Sequence, residues 1–203
     1  EDIKDKREII VRKPRIIDVY ENKLKSAIFE LINGDYLNYA NVKKELSPKF
    51  AAMYDDIKSS PGSVLVYSQF RTIEGLGLLT EFLKANGFKE IDFKKVDGKY
   101  QLTDITIFNK HYDNKRYIIF NQDKEKTRYL MNIFNGDFEN LPQEIQEVLP
   151  KDSNQLYGKL VKLFCITASG AEGISLKNVR RVLITEPYWN NIRIDQVIGR
   201  AIR

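Results

Sequence analysis

Four short runs, each built on three or four consecutive apolar residues, constrain this chain more than any other feature: VLVY at 64–67, RYIIF at 116–120, KLFCIT at 162–167 and RRVLITE at 180–186. A strand with one wet face alternates apolar and polar residues, so near-continuous runs belong to strands covered on both faces. Between the runs lie segments whose apolar residues recur at helical spacing. Strand and helix in alternation predict an α/β fold: a three-layer α/β/α domain around a mainly parallel sheet. Function in such sheets gathers in the loops at the carboxyl ends of the strands. Three loops, SQFRT (68–72), TASGAEG (167–173) and EPYWNN (186–191), are therefore predicted to share one edge.

Turn-forming residues divide the rest. Pro14 bars a helix through VRKPR, and IIDVYENKLKSAIFELI (16–32) then reads as an amphipathic helix closed by Asn33-Gly34. It serves either as a connector to something upstream or as a packing helix. Ser47 with Pro48 is a helix start, and Pro61-Gly62 closes that element. A helix is predicted over 72–86, stopped by Gly87, and another over 123–134, stopped by Asn135-Gly136. Asp97-Gly98 between two strand-like runs predicts a hairpin. The stretch 137–158, with Pro142 and Pro150 around a short helix, reads as a surface insertion, and Asn190 or Asn191 caps a final helix.

Bulk properties exclude several classes. The chain of 203 residues has one cysteine and one histidine, so no disulfide framework and no ordinary structural zinc site can form within it. Cys165, inside an apolar run, reads as a buried structural thiol rather than a nucleophile. No apolar stretch is long enough to span a bilayer, and EDIKDKREII has no signal-peptide pattern, so an intracellular location is expected, with no membrane partner. A net charge of +5 permits an anionic partner without requiring one.

ASGAEGISL (168–176) could bring the backbone close to a phosphate or ribose, with Ser169 as a hydroxyl donor, or could be a tight turn that also wants glycine. It is neither a Walker loop nor a dinucleotide fingerprint. Ser68 and Gln69 can hydrogen-bond phosphate or a neighbouring loop. Trp189, at the sheet edge, is expected to be a buried packing residue. QVIGRAIR (196–203) is more specific: two guanidiniums one helical turn apart suit the charge on a transferring phosphoryl group. Gly199, costly by about 1 kcal/mol inside a helix, needs a reason such as close backbone approach.

The ordered series VLVYSQF, ITASGAEGISL and QVIGRAIR resembles motifs IV, V and VI of superfamily 2 helicases and translocases. VRRVLITEPYWNN (179–191) looks like the connecting strand of the Swi/Snf-type branch, and YIIFNQDKEKTRYLMNIFN (117–135) is similar to the strand and helix that follow motif IV. The nearest flavour is that of helicase-like proteins of large DNA viruses, including poxvirus-type early transcription factor and nucleoside triphosphatase subunits. Val197 and the Thr167-Ala168 pair depart from the DEAD-box pattern and argue against that branch.

The resemblance implies the second RecA-like domain, over residues 47–203 with insertions at about 91–115 and 137–158. Residues 1–46 would be a lead-in and linker helix from a first domain. It implies catalytic arginine fingers at Arg200 and Arg203, nucleotide contacts from Gln196, Gly170, Glu172 and Gly173, and nucleic-acid contacts from Ser68, Gln69 and Ser169. P-loop and metal motifs are absent, so ATP and Mg2+ would be held mainly by the first domain, and this chain by itself is expected to be inactive. The implied partners are DNA or RNA, the N-terminal RecA-like domain and the transcription machinery; if the protein is viral, it resides in host cytoplasm or virion. The implied function is the C-terminal half of an ATP-dependent helicase or translocase. A non-catalytic nucleic-acid-binding module of a viral transcription factor is the alternative, and a P-loop upstream of Glu1 distinguishes the two.

Overall fold

The structure, a computed structural model, describes residues 16–72, 75–150, 155–168 and 173–201. An amphipathic helix α1 (Ile16–Asn33) is followed by a short α2 (Tyr39–Asn41) and one wide turn over Val42–Leu46. Helix α3 (Pro48–Ser59) starts as expected: the Ser47 hydroxyl accepts from the Phe50 amide at 3.3 Å, with proline at the first turn. Then come β1 (Ser63–Tyr67), α4 (Leu76–Ala85), β2 (Lys89–Glu90), the hairpin β3 (Phe93–Val96) and β4 (Lys99–Leu102), β5 (Arg116–Ile119) and α5 (Lys124–Asn135). A short α6 (Gln143–Gln146), β6 (Leu163–Ile166), β7 (Val179–Ile184) and α7 (Asn191–Ile198) complete the order.

Five strands form one sheet in the order β2-β5-β6-β1-β7, every pair parallel. The two-residue period of a strand sends alternate side chains to opposite faces. Leu65, Tyr67, Ile118, Phe164 and Ile166 join one core with Leu130, Ile133 and Phe134 of α5 and Val197 of α7. Val64, Val66, Tyr117, Leu163 and Cys165 join the other, with Phe50, Met53 and Ile57 of α3 and Leu79, Phe82 and Leu83 of α4. Both faces of the central strands are thus covered, which is why those strands read as continuous apolar runs. The Cys165 thiol, fully enclosed, is pushed up to about 12 by burial; it is the structural thiol expected.

The hairpin turns through Asp97 and Gly98, both at positive φ, as a two-residue turn demands. Helix α5 begins on the Asp123 side chain and ends at Gly136, whose φ of 79° is left-handed. Helix α4 starts later than its periodicity suggests. The Phe70 and Thr72 carbonyls take the amides of Leu76, Gly75 and Gly77, so the preceding loop folds back over the helix start. A Cβ on Gly75 would lie 2.2 Å from the Phe70 carbonyl oxygen and 2.3 Å from the Ser68 hydroxyl, a closeness only glycine allows.

The segment after α5 does more than decorate the surface. Leu141, Ile145 and Leu149 are buried in the α5-side core, and Gln155 exchanges hydrogen bonds with the Val161 backbone and the Ser63 hydroxyl. The stretch before β5 is anchored by Arg116, which is fully buried. Its guanidinium donates to the carbonyls of Ile107, Asn109, Lys159 and Leu160 at 2.6–3.2 Å and to the Asp113 carboxylate at 3.2 Å. Leu37 and Val42 are buried against α3 and α4, and the Asn86 side chain bonds both the Leu37 carbonyl and the Tyr39 amide.

Candidate functional site

Because β6, β1 and β7 are parallel neighbours, the first residues past them, Thr167, Ser68 and Thr185, lie side by side at one edge, as the sequence order predicts. Tyr67 ends β1 in register with Ile166 of β6 and Ile184 of β7. The ladder continues one step past the strands: the Ser68 amide donates to Ile166 and the Thr185 amide to the Tyr67 carbonyl, at 3.1 and 2.9 Å. Loop positions at this edge are therefore set by the sheet itself.

Glu186, the first polar residue past this ladder on β7, binds the loop after β1. Its carboxylate accepts from the Ser68 hydroxyl at 3.0–3.1 Å and from the Gln69 amide at 2.9 Å. The Phe70 amide donates to the same Ser68 oxygen at 3.1 Å. Ser68 is fully buried and Gln69 half-buried. In this arrangement the Ser68 hydroxyl is committed to the protein, and the half-buried Gln69 is the member of the pair with a face toward solvent.

The aromatic residue of the next loop corrects the sequence expectation. Trp189 is 85% exposed rather than packed. Its ring lies 5.7 Å from that of Tyr188, and the Arg193 guanidinium sits over the Tyr188 ring at 4.5 Å. It directly precedes the helix cap: the Asn190 side chain accepts from the Ile192 amide at 2.9 Å and starts α7. Below this cluster the Tyr67 hydroxyl is buried with no hydrogen bond of ordinary geometry among the described residues. Burial raises its phenol above the ordinary tyrosine value, with Arg193 pulling the other way.

Helix α7 buries Val197 completely and leaves Gln196 exposed. It ends at Ile198, so Arg200 stands half-buried in the turn that follows, and its carbonyl accepts from the Leu176 amide at 3.2 Å. This bond ties the end of α7 to the segment after the loop that leaves β6. Gly199 is the C-cap, not an interior helical residue; a Cβ there would meet the Asp195 carbonyl at 3.2 Å, a contact within the same turn of chain. The backbone that approaches the position is that of its own helix. Gly173 is exposed at φ 81° with open space around it, so conformation is the constraint there. Ser169, Gly170, Glu172 and Arg203 lie outside the described residues.

Beside the same edge, a cavity of about 380 Å³ separates the start of α5 from Gly173 and Ile174, with Asn121 and Lys124 on its wall. Asp123, which caps α5, accepts from the Glu125 and Lys126 amides and from the Tyr100 hydroxyl of β4. That phenol hydrogen bond, with the backbone amides behind it, holds the Asp123 carboxyl below the ordinary aspartate value, and the Tyr100 phenol is raised to about 12. Sequence reasoning undervalued Glu186 and missed Gly75, Tyr100 and Arg193. The signal for Glu186 was its position immediately after a strand, facing a hydroxyl at the end of the neighbouring one.

Among the described residues no group of three or more His, Cys, Asp or Glu side chains is placed to hold a metal ion, and no helix is long and apolar enough to cross a membrane. The chain is 33% identical over 166 residues to a termination factor NPH-I homolog of African swine fever virus, an alignment covering 77% of this chain and 23% of that protein. It is 30% identical over 157 residues to a putative ATP-dependent RNA helicase of Acanthamoeba polyphaga mimivirus, covering 77% and 15%. It is also 24% identical over 187 residues to nucleoside triphosphatase I of Melanoplus sanguinipes entomopoxvirus, covering 92% and 22%. The chain thus spans less than a quarter of the length of each. Residues 99–203, from β4 through the end of α7 and beyond, match the model of the helicase conserved C-terminal domain. With a parallel RecA-like sheet, its three edge loops in order and this match over half its length, the chain belongs to the helicase conserved C-terminal domain family.

Proposed function

We propose that this chain is the second motor domain of an ATP-dependent nucleic-acid helicase or translocase, supplying arginine fingers to a nucleotide bound on a preceding domain. The observation that carries this reading is the gathering of α7 and the loops after β1, β6 and β7 at one sheet edge. Two links lock that edge together: Glu186 to the Ser68 hydroxyl and Gln69 amide of the β1 loop, and the Arg200 carbonyl to the Leu176 amide. The names of the viral relatives, a termination factor homolog, a putative helicase and a triphosphatase, support it.

The residues in hand fit an anionic group presented from outside. Gln196 is exposed on α7, Gly173 opens an unobstructed backbone, and Arg200 stands in the turn after α7, whose end is tied to Leu176. The chemistry of bound ATP with Mg2+ is phosphoryl transfer to water. Arg200 and Arg203 would stabilise the charge on the transferring group, as fingers supplied from a neighbour do. Gln196, Gly170, Glu172 and Gly173 would orient that group. Gln69 and Ser169 would contact the strand backbone, with Ser68 acting through its bond to Glu186, and the exposed Trp189 offers a flat face to a base.

A photoreactive ATP carrying its label on the γ-phosphate tests the geometry in the full-length protein. The peptide spanning 191–203 should carry the label in the presence of nucleic acid. Labelling that never reaches this peptide contradicts the assignment.

A further inference from the structure

The opposite edge of the sheet carries a feature that the motor reading leaves unused. At the amino ends of β1, β5 and β6 lies a cavity of about 410 Å³. Among the described residues its wall holds Lys58, Lys115, Lys159 and Lys162 against a single acid, Asp113, which is already bonded to Arg116 at 3.2 Å. Among the described residues none of these four lysines makes an ion pair. Three are exposed, but Lys162 is 5% exposed, and its ammonium donates at 2.7 Å to the Ser60 carbonyl. Among the described residues this buried ammonium meets a carbonyl and no carboxylate, so it lacks the counter-charge that such groups normally require. Burial and the nearby Arg181 both push its proton affinity down, the sign of a cation short of an anion. The cavity wall also carries aromatic surface: Tyr157 is 56% exposed, and the Lys58 ammonium lies over the Tyr54 ring at 5.5 Å.

Lysines are compact point charges suited to phosphate oxygens, and lysines interleaved with an open tyrosine face match a phosphodiester strand better than a carboxylate-bearing peptide. We infer that the amino-terminal edge is a second nucleic-acid site, which takes a short single-stranded segment with phosphates on Lys58, Lys115, Lys159 and Lys162 and a base on Tyr157. The five residues of β1 put roughly 15 Å between this site and the carboxyl-edge loops, so it is not an extension of them. A strand leaving or approaching the motor could be held there without occupying the track.

Amide chemical-shift mapping of the isotope-labelled chain with hexathymidylate separates the two edges. Asn114, Lys115, Tyr157 and Lys159 should shift together on titration. A triple variant, Lys58→Gln, Lys115→Gln and Lys159→Gln, should weaken binding at those residues at least tenfold. It should also flatten the slope of log affinity against log salt by about 2, as loss of three phosphate contacts on a single strand requires. These lysines are exposed, so the variant keeps its fold, and Tyr157→Ala should weaken binding severalfold in the same assay. Shifts confined to residues 68–72 and 173–176 would overturn the second site while leaving the motor reading intact, as would an unchanged affinity in the triple variant. Equal or tighter binding of a hexaglutamate peptide at the same residues would overturn the nucleic-acid assignment.

Discussion

Replacing Glu186 with alanine tests whether the edge loops are held by one carboxylate. The substitution removes the charged acceptor for two donors, the fully buried Ser68 hydroxyl, left with the neutral Phe70 carbonyl at 3.1 Å, and the half-buried Gln69 amide. Hydrogen bonds to a charged acceptor contribute about 1.5–3 kcal/mol each. Water can reach the Gln69 amide, so about half of its share is recovered, and a total loss of about 2–4 kcal/mol follows. With a urea slope of about 2 kcal/mol/M, the unfolding midpoint should fall by about 1–2 M at unchanged slope. Glu186→Gln keeps an oxygen acceptor and should lose about half as much. In a double-mutant cycle, Ser68→Ala and Glu186→Ala should couple by about 1–2 kcal/mol, because each alone already removes the shared bond. Equal midpoints for the alanine and glutamine variants, or additive losses in the cycle, would refute this account of the edge.

Three further outcomes follow from the fold. Arg116→Met removes the guanidinium from four backbone carbonyls, of which those of Asn109 and Lys159 keep a backbone donor in Tyr112 and Asn114, and should cost about 3–5 kcal/mol in urea unfolding, far more than neutralising an exposed lysine. Gly75→Ala drives a Cβ into the Phe70 carbonyl and should cost about 1–3 kcal/mol, whereas Gly98→Ala, with open space but φ 81°, should cost about 1–2 kcal/mol from backbone strain alone. Because the folded Asp123 carboxyl is depressed, the stability it contributes is present above the unfolded value near 4 and lost as pH falls through the folded one. Carboxyl NMR should place its midpoint below ordinary aspartate, and Tyr100→Phe should move it upward.

The architecture was legible because the burial of β1, β5 and β6 on both faces is written directly as aliphatic runs, and because Ser47, Asp97-Gly98 and Gly136 are turn and cap residues acting locally. What escaped depends on partners distant in sequence. Glu186 is unremarkable until the parallel register brings it beside Ser68, 118 residues earlier. Trp189 resembles a core residue by composition, but in the loop before the Asn190 cap it is exposed. The start of α4 is set by carbonyls of the folded loop, not by its periodicity. The stretch 137–158 looked peripheral because Pro142 and Pro150 bound a helix too short to announce a core element; Leu141, Ile145 and Leu149 recur every fourth residue, and α5 supplies the wall they pack against.

Nucleic-acid-stimulated ATP hydrolysis by the full-length protein, measured for Arg200→Ala and Arg203→Ala alongside nucleic-acid affinity, tests the central claim most directly. Arginine fingers commonly contribute about 10³-fold or more to turnover. Stimulated hydrolysis should therefore fall by about that factor in each variant, with affinity for nucleic acid largely kept. Wild-type turnover in both variants, or loss of hydrolysis only in step with loss of nucleic-acid binding, would contradict it.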